Sequence, residues 1–334
     1  MAMNENFRRM LYLSFKSEDT EEWLDVHFTR PVGLAFALLW NRLGVHPNAI
    51  TILSMFLGAA AAVMFYHTDL PHNVAGVALL MLANFCDSTD GQMARLSGKK
   101  TLIGRMLDGL AGDVWFFCIY AALCLRLMPQ FIPGTEVKWG WGIWILAFVA
   151  GILCHAPQSS LADYYRQIHL FFLKGTEGSE LDSYEQQRAV SQQLPRHDVV
   201  GRLFHRNYAN YCRRQEVRTP AFQRFFRHYR QMEGIGDRHA VDEVRLQLLE
   251  GSRPLMKYAN ILTFNVRAIT LYAACLIGIP WLYFVVEITV LTLLYVYMHR
   301  RHEQLCDRLT EVMKIITELK IKNLRINNQG FENK

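Results

Sequence analysis

The apolar residues of this chain collect into runs of about membrane-spanning length, separated by strongly polar stretches. A soluble core would instead favour amphipathic stripes of helical or strand period. The first run opens at His46-Pro47-Asn48 and continues to about Tyr66, with Pro47 suited to a helix start. The others cover about Val74 to Ala94, Thr101 to Leu127, Trp141 to beyond Leu161, Ala259 to Ile277 and Trp281 to Met298. At about 1.5 Å of rise per residue, each can cross a hydrocarbon core of about 30 Å. The expected fold class is all-α integral membrane, multi-pass, with six transmembrane helices.

The polar stretches set the expected domain plan. Residues 1–45 read as an N-terminal cytoplasmic and interfacial segment. In it, Ser17 to Phe28 is expected to form a short interfacial helix with Trp23, Leu24 and Phe28 as its apolar contacts. Pro31 to Trp40 then sits at the membrane surface or dips into it. The first 26 residues are mostly polar and charged, so no cleavable signal peptide is expected. Residues 46–166 hold spans one to four. Residues 167–257 form a polar helical insert, with helical stretches at Pro220–Met232 and Ala240–Leu249. Residues 258–300 hold spans five and six, and residues 301–334 a C-terminal cytoplasmic helix and tail. Leu305, Leu309, Val312, Ile316 and Leu319 make a heptad-like stripe there, packing on the chain itself or on a second copy.

Charge placement sets the expected orientation. Of the 36 Lys and Arg residues, 33 fall on the side that would hold both ends, the 95–105 loop and the insert. Only Arg126 and Lys138 fall on the other side, and Arg267 lies within span five. The basic side is expected to be cytoplasmic. The seven cysteines lie mostly in apolar runs and make no CxxC or zinc-like spacing, so they read as reduced structural thiols. Residues 164–257 have 16 basic and 11 acidic residues and no nucleic-acid-reading motif, so no nucleic-acid partner is expected.

The junction of spans two and three carries the chemistry. It reads Asp87-Ser-Thr-Asp90-Gly91-Gln-Met-Ala94-Arg95, then Gly104 and Asp108. Carboxylates near a membrane core are costly and need a reason. Asp87 and Asp90 are three apart and share a helix face. If the 96–103 turn sends the chain back, Asp108 faces them from the next span. Three carboxylates at one point repel unless a cation sits among them, and hard oxygen donors suit Mg²⁺ or Mn²⁺. Gly91 and Ala94 remove side-chain bulk where a nucleotide would lie against the backbone. Arg95 offers a planar fork for phosphate.

This string resembles the signature of the CDP-alcohol phosphotransferase family, D-x2-D-G-x2-A-R-x8-G-x3-D-x3-D. Seven of the eight fixed positions match: Asp87, Asp90, Gly91, Ala94, Arg95, Gly104 and Asp108. The Pro47-Asn48-x-x-Thr51 stretch also looks like the family. The resemblance covers roughly residues 30–165 and 258–300 and leaves out the insert. It implies a dimeric membrane enzyme, with its metal site at the cytoplasmic membrane boundary, that binds a CDP-linked alcohol or CDP-diacylglycerol. An alcohol or lipid acceptor attacks the β-phosphorus and CMP leaves. By the same resemblance Asp87, Asp90 and Asp108 ligate metal, Gly91 and Ala94 make room for cytidine, Arg95 holds phosphate, and Gly104 belongs to the substrate-binding set.

One position departs from the pattern. The fourth aspartate, proposed in the family as metal ligand and catalytic base, falls on Gly112, with Asp113 beside it. In a regular helix position 112 lies about 40° around from Asp108 and position 113 about 140°. Asp113 is expected to fill the catalytic and metal role, together with Asp108, through a one-residue π-bulge that Gly109 and Gly112 would permit.

Further candidates carry weaker signals. Arg267 inside span five needs an anionic partner, either a substrate phosphate or an Asp. Arg166 is a candidate acceptor-phosphate ligand or an i,i+3 partner of Asp163. His155 reads as a hydrogen-bonded packing residue. The run Phe222 to Arg230 suits anionic lipid or one face of a soluble helical cap. Two competing functions remain: exchange of a head group from a phospholipid donor, for example to ceramide, and a non-catalytic transporter or scaffold.

Overall fold

The computed structural model describes residues 7, 10, 11, 17, 19, 20, 22–97, 101–235 and 238–332. The early part of the N-terminal segment, the middle of the 96–103 turn and the side chain of Leu319 lie outside the described residues. Within them the chain is all-helical, apart from one isolated bridge between Phe131 and Lys138. Five stretches are long and apolar enough to cross a membrane: Pro47–Tyr66, Met106–Leu127, Gly142–Lys174, Arg238–Leu276 and Trp281–Ile316. This is a multi-pass membrane protein by the length and composition of its helices.

The chain divides into two compact units, residues 1–159 with 260–293 and residues 160–259 with 294–334. The first unit opens with a π turn, Asp25–Thr29, running straight into α1, Arg30–Arg42. Of the helix expected over Ser17 to Phe28 only the part from Trp23 onward is helical, Ser17, Asp19, Thr20 and Glu22 being outside it, and that part runs without a break into the piece expected from Pro31. Pro31 has no N–H to donate, and the wider π turn precedes it at the helix start. Trp23, Phe28, Phe36 and Leu39 are exposed, as a helix lying in an interface requires.

Next come α2, Pro47–Tyr66, α3, Leu70–Ser97, and α4, Leu102–Leu127. The helix α3 was expected as span two. It has the length, but the polar end from Asp87 to Gln92 dilutes its apolar run, and it is not among the five. The packing of α2 on α4 depends on Gly58: a Cβ there would fall 2.1 Å from the Trp115 ring. Trp115 Nε1 donates to Ser54 O at 2.9 Å, so the indole is both packed and satisfied. At the other end of the hairpin Arg126 is buried and donates to Phe65 O (3.0 Å) and Asn73 Oδ1 (2.8 Å).

The fourth expected span is a single helical run, α5, Gly142–Phe148, a π turn, Val149–His155, and α6, Ala156–Lys174. Four helices follow: α7, Tyr184–Gln193, α8, Val199–Arg218, α9, Pro220–Ile235, and α10, Arg238–Ile261. Span five breaks at Leu262-Thr263, and only α11, Phe264–Leu276, continues beyond. The expected division between span six and a separate C-terminal helix is corrected. From α12, Trp281–Val286, through a π turn, Glu287–Leu291, to α13, Thr292–Glu332, the helix is unbroken.

The second unit has its own core. Phe222, Phe225 and Tyr229 of α9 are buried; the ring of Phe172 meets Phe225 at a tilt and Tyr229 edge-on, and Phe222 packs on Phe225. The aromatic residues of the basic run are therefore packing residues of this helical unit. Arg230 lies over the rings of Phe171 and Phe226, with its carbon about 5 Å from each centroid. The first N–H groups of α9 are capped from afar: Glu303 accepts from Ala221 N (2.8 Å) and Phe222 N (3.3 Å). Leu305 and Leu309 are buried in this same unit, so the stripe on α13 begins as self-packing.

Candidate metal centre

The hairpin of α2 and α3, with α4 returning beside them, brings Asp87, Asp90 and Asp108 together. One carboxylate oxygen from each lies within 4.8 Å of the others. Asp90 is buried, Asp87 half-buried and Asp108 exposed. The cluster thus has a walled side on α3 and an open side on α4.

The surroundings explain the sequence around it. Thr51 on α2 donates its hydroxyl to Asp90 and also meets Pro47 O, one turn earlier (3.3 Å). Gly104 sits where a Cβ would come within 3.1 Å of Asn48 Oδ1 and 3.0 Å of Thr101 Oγ1. Thr101 caps α4 by accepting from Gly104 N at 3.0 Å. The Pro47-Asn48-x-x-Thr51 stretch therefore belongs to the site: Asn48 lies close against Gly104 at the start of α4 and Thr51 orients Asp90. Sequence reading gave that stretch a family likeness but no role, and Gly104 is closely packed here. Gln92 Nε2 ties α3 to α1 by donating to Arg30 O (3.2 Å), which Gly33 permits by lacking a Cβ.

Positive charge and open space complete the arrangement. The Arg95 guanidinium lies over Gly91, where a Cβ would sit 3.4 Å from Nη1. Arg30 adds a second cation acting on Asp87, a residue sequence reading did not single out. Ala94 is half-buried on the same helix. A Cβ at Gly109 or at Gly112 would meet nothing within 4 Å, so α4 is bare on both sides of its turn beyond Asp108. Three converging hard oxygens, one of them buried, fit a divalent cation of the Mg²⁺ class.

The expected π-bulge is corrected. The helix α4 is regular from Leu102 to Leu127. Asp113 is not one of the three clustered carboxylates, and it follows the helical angle that carries it away from Asp108.

Arg267 is also corrected as a substrate ligand. It is buried in the first unit and paired with Glu287, and it donates to Gln158 Oε1 (2.9 Å) and twice to Leu262 O (3.2 and 3.1 Å). The partner is a Glu on span six, which went unnoticed although the cost of burying a charge applied to it equally. His155 stands at the end of one π turn with Nδ1 3.8 Å from Glu287 Oε1, and Phe116 packs on its ring. It is a packing residue of this polar centre, as its sequence suggested. Arg166 lies in the second unit, half-buried on α6. Asp163 accepts from Gln167 Nε2 at 3.3 Å.

Residues 44–163 match the family model described as CDP-alcohol phosphatidyltransferase. The chain is also similar to a "Bifunctional IPC transferase and DIPP synthase" of Aquifex aeolicus (strain VF5). The two are 28% identical over 105 residues, which is 31% of this chain and 22% of that protein. The chain thus matches about a fifth of the length of that curated relative.

Proposed function

With residues 44–163 taken as a domain of the CDP-alcohol phosphatidyltransferase family, we propose that this protein is a membrane transferase acting on a CDP-linked donor. The donor is a CDP-linked alcohol or CDP-diacylglycerol, the acceptor an alcohol or lipid hydroxyl, and the products are the new phosphodiester and CMP. The observation that carries the reading is the convergence of Asp87, Asp90 and Asp108 from two helices beside Arg95 and Gly91.

Each residue has a definite task in this reading. Asp87, Asp90 and Asp108 would hold Mg²⁺ or Mn²⁺, which when bound neutralises the donor pyrophosphate. Thr51 keeps the Asp90 carboxylate aimed inward. Arg95, with Arg30 near Asp87, binds phosphate oxygens. Gly91 and Ala94 let the cytidine approach the backbone of α3, and the bare face at Gly109 and Gly112 leaves room for the rest of the donor. Asp108 is the exposed carboxylate and takes the proton of the acceptor hydroxyl. The hydroxyl oxygen bonds to the β-phosphorus, the bond from that phosphorus to the CMP oxygen breaks, and CMP leaves with the electron pair.

The concentration of Lys and Arg on the side holding the 95–105 loop supports a cytoplasmic site. One observation favours a second reading: the fourth carboxylate of the signature is Gly112 and nothing in α4 restores it. A head-group exchanger drawing on a phospholipid donor would differ here. Purified protein incubated with CDP-diacylglycerol and with CDP-alcohols, with and without Mg²⁺ or Mn²⁺, separates the two. Metal-dependent CMP release with a new lipid mass, lost in Asp87→Asn, supports the CDP reading. Lipid turnover without any cytidine compound supports the exchanger.

A further inference from the structure

The turn between α2 and α3 holds a second group of donors that the transferase reading leaves unused. One donor atom each from His67, Asp69 and His72 lies within 4.8 Å of the others. The imidazoles of His67 and His72 stack with centroids 4.1 Å apart. Asp69 Oδ2 is 2.6 Å from His72 Nδ1 and also accepts from His72 N (3.3 Å), at the first turn of α3. All three side chains are partly or fully open to solvent.

The backbone that presents them is fixed from below. Asn73 Nδ2 donates to the carbonyls of His67 (3.3 Å) and Asp69 (2.6 Å), the residues carrying two of the three donors. Asn73 is itself buried and held through Oδ1 by Arg126, which also grips Phe65 O just before the turn. A buried guanidinium is expensive at a helix end facing a membrane. Here it holds one short turn in a single shape, with two imidazoles and a carboxylate on its outer surface.

We propose that His67, Asp69 and His72 form a binding site for a transition-metal dication of the zinc class. Two imidazoles and a carboxylate are a ligand set suited to Zn²⁺, Ni²⁺ or Cu²⁺, unlike the all-carboxylate cluster, whose hard oxygens suit Mg²⁺. Ligands about 2.0–2.2 Å from one ion stand about 3.3 Å apart. To reach that figure the Asp69–His72 pair, now at 2.6 Å, opens and the wider spacings close, by rotation of side chains that are all at least partly open to solvent. Three protein ligands leave a fourth position for water. His72 and Asp87 lie on one continuous helix, fifteen residues or about 22 Å apart, so the two sites are separate. A metal here would staple the end of α2 to the start of α3, the hairpin that presents Thr51 and Asp90 at its other end.

The test is Zn²⁺ binding by the full chain in detergent micelles, measured by calorimetry in excess Mg²⁺. We expect one Zn²⁺ per chain. His67→Ala and His72→Ala should each weaken binding by about 100-fold, and Asn73→Ala by about 10-fold through the loosened turn. Asp87→Asn should bind Zn²⁺ as wild type does. Since Asp87→Asn removes transfer under the proposed function, failure of one site is distinguishable from failure of the other. Co²⁺ gives a second readout: the visible absorption of a four-coordinate ion should appear in wild type and vanish in His67→Gln and His72→Gln. These conservative variants should match the wild type in helicity and elution volume. Zn²⁺ affinity unchanged in the His67 and His72 variants, or lost in Asp87→Asn, would overturn the proposal.

Discussion

Arg267 on α11 and Glu287 in the π turn after α12 form an ion pair with both side chains buried inside the first unit. Leu262, at the break before α11, leaves its carbonyl unused by a helix, and the same guanidinium fills it. The pair therefore closes a helix end as well as a charge. Removing one partner leaves an uncompensated charge, at a cost of about 3–5 kcal/mol. Arg267→Met and Glu287→Leu should each lower the thermal stability of the detergent-solubilised protein sharply. The double variant should recover most of that loss, and a thermal melt of the four proteins measures the cycle.

The metal cluster predicts an asymmetric pair of outcomes on α4. A side chain at position 112 has open space around it and the angle to reach Asp108, so Gly112→Asp should tighten Mn²⁺ binding by about ten-fold. Asp113→Asn should change it by less than about two-fold. Mn²⁺ titration followed by electron paramagnetic resonance reads both. A loss on Asp113→Asn comparable to that of Asp87→Asn would restore Asp113 to the ligand set.

Transfer itself should fall by at least about 100-fold in Asp87→Asn and Asp90→Asn. Thr51→Val keeps the shape of the side chain but removes the donor to Asp90. It should act chiefly by raising the Mn²⁺ concentration needed for half-maximal rate. A rate assay against metal concentration separates these effects, and chelation followed by readdition of Mn²⁺ should restore the wild type alone.

Close helix approach makes a packing prediction. A side chain at position 58 collides with Trp115, which is fixed by its bond to Ser54 O. Gly58→Val should destabilise the protein by about 1–3 kcal/mol. Trp115→Leu in the same chain should return part of it, as melting temperatures would show.

Glu303 offers a prediction in the second unit. Its carboxylate serves two N–H groups at the start of α9, where no side chain of α9 replaces it. Glu303→Ala should cost about 1–2 kcal/mol and loosen the first turn of α9. Amide exchange at Ala221 and Phe222 should quicken before exchange at Phe225.

The signature on α3 and α4 was legible because its residues act through fixed helical spacing. Three apart on one helix and one returning turn are enough to place Asp87, Asp90 and Asp108 together. Five of the six expected spans were legible because hydrocarbon selects composition over some twenty residues. What escaped is what depends on partners distant in sequence. Nothing near Glu287 announces Arg267, and nothing near Glu303 announces α9. The regularity of α4 was misjudged for a related reason. Two glycines permit a bulge, but a helix bulges only when packing rewards it, and the open surroundings of Gly109 and Gly112 offer no such reward.

The π turns at 149–155 and 287–291 pack against one another and carry His155 and Glu287 at their ends. Each accommodates about one residue more than an α-helix of the same rise. Deleting a single residue from either would reel that helix back into ordinary phase and swing every later side chain by about 100°. A homologue shorter by one codon in either stretch should therefore lack the acid–base contact between these two helices.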